Sequence, residues 1–385
     1  MKKIIIAILM MFLLTGCYNY KELNDLGIVS AIGISKENDE FTLDVQLVNI
    51  VEAGKNGISE APISVITGKG KTIFEAARSL NLKSSKTFFI SNLEYVLLDK
   101  SILKSDMNEV IDYLTRDARL PLNFLIVTTL DDKPKDIMSA LSQFDINSAS
   151  NLSKTLKLSE NRYGESYSLT MKELLGKYLS NFSVIVYPNI KLVGDAKKLS
   201  NTENLKESNS NNYVSIEGLV FFNKDKEEVL LSKDEAFGYN FLVNHITNAT
   251  ITTKCDGGYF TVEILKSKFG YDNLKNDELT IKGKVEAEIV YYGCEENLSE
   301  EKSTEKITDI LNNEIERYIK DTIKLAQEEE SDFLEVGSFI YKNNTKYFDF
   351  KNKDWNKDKF PNLKFKYDIK TNIVKQGNLR GDIHE

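Results

Sequence analysis

Histidine is nearly missing from this chain of 385 residues: only His245 and His384 occur, far apart in sequence. That argues against a histidine-based metal site or a catalytic triad. His245 reads as a helix-end residue and His384 as part of a polar tail. Cysteine occurs three times. Beyond Cys17, Cys255 and Cys294 could form one disulfide outside the cell, but nothing in their spacing demands it. Basic residues are in deficit, with 50 Lys+Arg against 58 Asp+Glu and a net charge of −8. The balance argues against nucleic acid as a partner and against electrostatic attachment to anionic lipid. No Gly-x-Ser-x-Gly elbow and no His-Glu-x-x-His motif is present. The glycines of Gly68-Lys69-Gly70 lack P-loop spacing, and no apolar strand is evident before them. Acidic residues are plentiful, yet no pair can be singled out, and Glu328-Glu329-Glu330 reads as a solvated helix end. Nor does any apolar run reach the roughly 20 residues that span a bilayer.

What the chain does have stands at its start. Lys2 and Lys3 precede the apolar run from Ile4 to Leu13, which ends in Leu14-Thr15-Gly16-Cys17. A positive segment, a short apolar segment and small residues before the cut are the anatomy of an export signal. A cysteine directly after the cut fits the bacterial lipobox: Gly16 leaves the scissile backbone uncovered, and the Cys17 sulfur is the nucleophile that takes a diacylglycerol. Residues 1–16 are therefore expected to be removed. Two acyl chains, at about 0.8 kcal/mol per buried CH2, would hold the rest on a membrane outside the cytoplasm. No other cofactor is expected. Loss of Lys2 and Lys3 leaves 48 basic against 58 acidic residues, so the lipid has to do the anchoring.

The remainder reads as an α+β chain in two main domains, 17–195 and 213–385, with a third subdomain as an alternative division. In the first, Phe41, Leu43, Val45 and Leu47 alternate with polar residues as in a half-buried strand. A polar loop covers Ala53–Glu60. Thr72 and Glu75 form a capping box before Ile73, Ala76, Ala77 and Leu80. Leu93–Leu98 reads as a strand, and Ser105 as the cap of a helix carrying Met107, Val110, Ile111 and Leu114. A strand at Asn123–Thr129 and a helix started by Pro134 follow. Such alternation implies at least one parallel pair in a mixed sheet with packed helices. Asn147–Ser166 reads as a long polar stretch, and the strand Ser183–Tyr187 as halted by Pro188. Residues 196–212, rich in Lys, Asn, Ser and Glu, read as a polar linker. In the second domain come strands at 213–222 and 228–231, a helix begun by the capping box of Ser232 and Glu235, and strands at 250–254, 259–266 and 279–292. The longest helix, from Thr304 to about Glu329, carries Ile307, Ile310, Leu311, Ile315, Ile319 and Ile323 on one stripe, expected to pack against an antiparallel-rich sheet. A further helix at Asp332–Tyr341, Trp355 and a closing strand with Leu363, Phe365, Tyr367 and Ile369 complete the chain.

The lipobox followed by Tyr18-Asn19-Tyr20-Lys21-Glu22-Leu23-Asn24-Asp25-Leu26-Gly27, then Ala31-Ile32-Gly33-Ile34 and Val45-Gln46-Leu47-Val48-Asn49, resembles the start of the Ger(x)C family of spore germination lipoproteins, the C subunits of GerA-type nutrient germinant receptors of spore-forming Firmicutes. Gly70-Lys71-Thr72-Ile73-Phe74-Glu75-Ala76-Ala77-Arg78, Tyr113-Leu114-Thr115-Arg116-Asp117, Ile216-Glu217-Gly218-Leu219-Val220-Phe221-Phe222, Ser331-Asp332-Phe333-Leu334-Glu335-Val336-Gly337 and the Trp355 segment keep the family's order. One departure is visible, since Tyr18-Asn19 stands where the family commonly has Trp-Asp. The resemblance implies a non-catalytic, multi-subdomain α+β protein on the outer face of the spore inner membrane, working with integral A and B subunits. Arg78, Arg116, Asp117 and Trp355 are then the candidate partner contacts. Two other readings are a lipid-anchored solute-binding protein of a transporter and a two-carboxylate cell-wall hydrolase.

Overall fold

The computed structural model describes residues 25–49, 60–180, 182–207, 211–295, 301–347 and 354–375. Gly16, Cys17, the Tyr18-Asn19 departure, His384 and most of the expected loop at Ala53–Glu60 lie outside them. Among the described residues two sheets form. The first, nine-stranded, has the order β3-β2-β1-β5-β6-β7-β8-β9, with β4 beside β1. Its strands are β1 (Leu26–Glu37), β2 (Glu40–Val48), β3 (Ile63–Gly70), β4 (Thr87–Phe89), β5 (Tyr95–Asp99), β6 (Leu125–Thr129), β7 (Val186–Val193), β8 (Tyr213–Phe222) and β9 (Glu228–Leu230). The centre, β1-β5-β6-β7, is parallel and both flanks are antiparallel.

A parallel centre needs cover on both faces. On one face lie α1 (Ile73–Ser79), followed after α2 (Lys100–Ser105) by α3 (Met107–Arg116). They bury Ile73, Ala76, Val110 and Leu114 in the same core as Val29, Ile32 and Leu43. On the other face, α4 (Pro134–Ser139) and α5 (Ser148–Tyr163) bury Ile137, Met138, Leu152 and Leu156 against Ala31, Leu97 and Val127. The helix α5 fills what reads in sequence as a polar stretch. Asn147 caps it through Ala149 N and Ser150 N, and Gly164 ends it with φ 71°. The expected cap at Ser105 is instead the last residue of α2. Asp106 precedes α3, and its carboxylate is taken by Lys36 at 2.6 Å. A strand, β3, does lead into Gly70 and α1. Pro188 does not halt β7 but sits at a register shift opposite Leu219, where a missing N–H is tolerated.

After α6 (Met171–Tyr178) and α7 (Ala196–Leu199), the second sheet runs β10-β11-β12-β13: Thr250–Cys255, Gly258–Lys275, Glu278–Tyr292 and Lys364–Lys375. It is antiparallel except for β12 with β13. Beneath it lie α8 (Lys233–Leu242), started by the capping box of Ser232 and Glu235, and α9 (Glu301–Glu328). The α9 stripe is buried at Ile307, Leu311, Ile315, Ile319 and Ile323, as the α+β reading requires. Gly238 lets the two helices meet: a Cβ there would lie 2.2 Å from the Tyr318 carbonyl oxygen.

The two sheets are joined more closely than a linker at 196–212 would suggest. That segment forms α7, with Leu199 buried, and β8 beyond it pairs antiparallel with β7. One apolar core runs continuously from Val29 to Leu363. Across the seam, Asn240 Nδ2 donates to the carbonyls of Gly164 and Ser166, both at 2.8 Å, and His245 contacts Glu160.

Cys255 and Cys294 are paired, with Cα atoms 5.7 Å apart. The sequence left this pairing open. The β10–β11 hairpin and the end of β12 bring them together, because Phe260 faces Tyr292 across the ladder. Their separation of 39 residues closes a loop that constrains the unfolded chain by up to about 4 kcal/mol. Cys294→Ser is expected to lower the urea midpoint correspondingly, while the same comparison under reducing conditions should show no difference.

Candidate functional site

Between α1 and α3 a groove of about 1290 Å3 reaches down toward the first sheet. Val29 and Ile32 of β1 and Leu43 and Val45 of β2 form the floor, with Ile73, Phe74 and Ala77 on one wall and Tyr113 on the other. The walls stand where they do for local reasons. Thr72 Oγ1 accepts from Glu75 N at 3.1 Å and starts α1, while the Glu75 carboxylate accepts from Lys71 N at 2.8 Å. In α3, Val110 and Leu114 turn inward, which leaves Asp112 and Arg116 on the rim.

Three of the four expected contact residues line this groove. Arg78 is exposed and lies over the Phe74 ring at 4.9 Å. Arg116 Nε donates to Asp112 Oδ2 at 2.7 Å, one helical turn away. Asp117 is gripped by both ends of the Arg119 guanidinium, at 2.9 and 2.6 Å. These hydrogen bonds hold the carboxyls of Asp112 and Asp117 below the usual range, and burial raises the Tyr113 hydroxyl. In sequence, Arg116-Asp117-Ala118-Arg119 reads as a capping and ion-pair cluster or a contact surface where a helix gives way to a strand; that Lys86 shares the rim with it is visible only in the structure. The apolar floor has no sequence signal of its own, since its residues are ordinary buried strand residues. Chemically the groove offers an apolar trough edged by guanidinium groups. Among the described residues its lining contains no histidine or cysteine, and no cluster of three or more His, Cys, Asp or Glu could hold a metal.

The fourth residue, Trp355, lies elsewhere and is only 6% exposed. Its Nε1 donates to Asp332 Oδ2 at 2.8 Å, so it is a structural anchor and not a surface contact. Asp332, fully buried, also accepts from Leu334 N (3.2 Å), Val336 N (3.1 Å) and Gly337 N (2.6 Å). These donors define the start of α10 (Val336–Asn343). Gly337 is required here because a Cβ would fall 2.6 Å from Trp355 Nε1. Burial drives the Asp332 carboxyl up to about 6, against the four N–H groups that pull it down.

Residues 19–192 match the model described as spore germination protein N-terminal domain, and residues 217–377 match the one described as spore germination B3/GerAC like, C-terminal. The chain belongs to the Ger(x)C family. This Ger(x)C protein is 27% identical to spore germination protein KC of Bacillus subtilis (strain 168), over 98% of the chain and 96% of that relative. It is 32% identical to spore germination protein A3 of the same organism, over 35% of the chain and 38% of the relative. A solved structure, described as the crystal structure of the GerBC protein, shares the fold with a TM-score of 0.54 at 16% identity, covering 89% of this chain and 96% of the other. The first Ger(x)C region ends at residue 192, so β8 and β9 complete its sheet from beyond that limit.

Proposed function

We propose that this protein is a lipid-anchored, non-catalytic subunit of a spore nutrient germinant receptor, held at the outer face of the spore inner membrane and working with membrane-embedded A and B subunits. The observation that carries the reading is family membership along nearly the whole chain, in a sequence whose lipobox supplies an anchor. Among the described residues no helix is long and apolar enough to cross a membrane, so attachment falls to the diacylglycerol on Cys17. The groove between α1 and α3 is the surface offered to the integral partners, with Arg78, Arg116 and Asp117 on its rim. The solute-binding alternative needs two similar lobes about a hinge. It is disfavoured by two unlike sheets sharing one core.

Deletion of the gene in spores without a redundant receptor should abolish germination with nutrients, and the intact gene should restore it. Complementation with Arg78→Glu/Arg116→Glu should leave the protein at normal abundance and reduce the germination rate by about tenfold, as expected for losing charged anchors at an interface. Unchanged germination on deletion would sink the function. Full rescue by the double variant would sink the groove assignment alone.

A further inference from the structure

We infer that one end of the first sheet lies against the membrane, presenting Leu82, Phe89 and Leu122 to the acyl boundary and Lys83 and Lys86 to anionic headgroups. The inference rests on the lipid anchor proposed above, and it adds the orientation that the anchor would impose.

Leu26, Gly27 and Ile28 at the start of β1 pair with Thr87, Phe88 and Phe89 of β4. Only about nine residues separate Cys17 from Leu26, which is at most roughly 32 Å of extended chain. A lipid on Cys17 therefore keeps this end of the sheet near the bilayer, whatever path the intervening residues take.

Chain direction brings other segments to the same end. The helix α1 runs back from the far end of β3, so Leu82 and Lys83 follow its last turn. In the same way α3 runs back from β5 and delivers Arg116 to Leu122. The Ser91 hydroxyl reaches the Arg119 carbonyl at 3.5 Å, which ties the two segments together.

The chemistry of this end differs from that of the chain. Leu82 is 89% exposed, Leu122 41% and Phe89 39%. From Arg78 to Leu93 there are three basic residues and no acid, in a protein whose net charge is −8. The nearby carboxylates of Asp112 and Asp117 are already held by Arg116 and Arg119, and Asp25 and Glu60 border the face. Apolar side chains flanked by cations fit an anionic lipid surface. A net acidic protein cannot be attached by such a patch alone. Once a lipid has brought it to the surface, local charge and exposed apolar groups decide which side faces down.

The test uses the full lipidated protein reconstituted into vesicles of phosphatidylglycerol and phosphatidylcholine, with an environment-sensitive fluorophore on Leu82→Cys. Cys17 is acylated and Cys255 pairs with Cys294, so the new thiol is the one to label. Leu230→Cys is the control: Leu230 is 53% exposed on β9, five strands from β1 and so about 24 Å across the sheet. Quenching by nitroxide-bearing lipids should be at least about threefold stronger at position 82 than at 230, reflecting shallow insertion at the headgroup boundary. Lys83→Glu/Lys86→Glu should abolish that difference without changing the amount of protein floating with the vesicles. Equal quenching at both positions, or none at 82, in protein that floats would overturn the orientation while leaving the anchor standing. Failure to float would remove the anchor and the proximity argument together. Protection of the label only when the integral partners are present would give this face to a protein and overturn the lipid assignment.

Discussion

Asp332→Asn is expected to destabilise the protein by about 3 kcal/mol, because an amide nitrogen would replace one oxygen that now accepts two N–H groups and would leave those buried donors unpaired. The loss should appear as a lower urea midpoint with an unchanged slope. Whichever way the amide turns, one donor pair is orphaned: Leu334 N with Val336 N, or Gly337 N with Trp355 Nε1. A pH signature accompanies this. Burial raises the Asp332 carboxyl from 3.8 to about 6 in the folded chain. Between about pH 4 and 6 the folded state thus holds a proton that the unfolded state has released. The stabilisation from this residue is fully present below about pH 4 and is lost as pH rises through 6, by about 3 kcal/mol in all. The asparagine variant should flatten that portion of the stability profile, and an unchanged profile would show that Asp332 titrates like an exposed carboxyl.

The second large effect concerns location. On the proposed lipid anchor, Cys17→Ala removes the acyl chains, and the fraction of protein recovered with membranes should fall by at least about tenfold. Thermal unfolding should be unchanged and nutrient germination impaired. In the proposed receptor the impairment would follow from effective concentration: a tether would keep the protein beside its partners at levels that free diffusion does not reach. An unlipidated variant that supports normal germination would mean that partner contacts alone suffice.

Much of the fold was legible wherever local pattern and tertiary burial agree. The alternation Phe41, Leu43, Val45, Leu47 is a buried strand face, and the stripe from Ile307 to Ile323 is a buried helix face. Ser232 and Glu235 cap a helix as their spacing requires. The failures share a physical cause, which is that long-range partners decide them. Helix α5 hid because its inner face includes Ser153 and Glu160, the latter satisfied by His245; the readable signals were Asn147 and Gly164 at its ends. Ser105 lost its expected role because Asp106 is engaged by Lys36 from β1. Trp355 sits between Asp354 and Asn356 and so looks exposed, whereas distant residues, Asp332 and Phe182 among them, enclose it. At the groove, Arg78, Arg116 and Asp117 were each visible as charged residues of a motif. That they edge one trough depends on how two helices are spaced over the sheet, which no local pattern encodes.

The pairing of β7 with β8 also sets an order in time. The sheet of the first family region stays open along β7 until the chain has grown from Val193 to Phe222, roughly 29 residues or some 1.5–6 seconds of synthesis at ordinary rates. Throughout that interval a hydrogen-bonding strand edge is unpaired and open to the wrong neighbour. A fragment ending near residue 195 would make this state permanent, so the first region expressed alone should aggregate, whereas one extended through β9 closes its own edge.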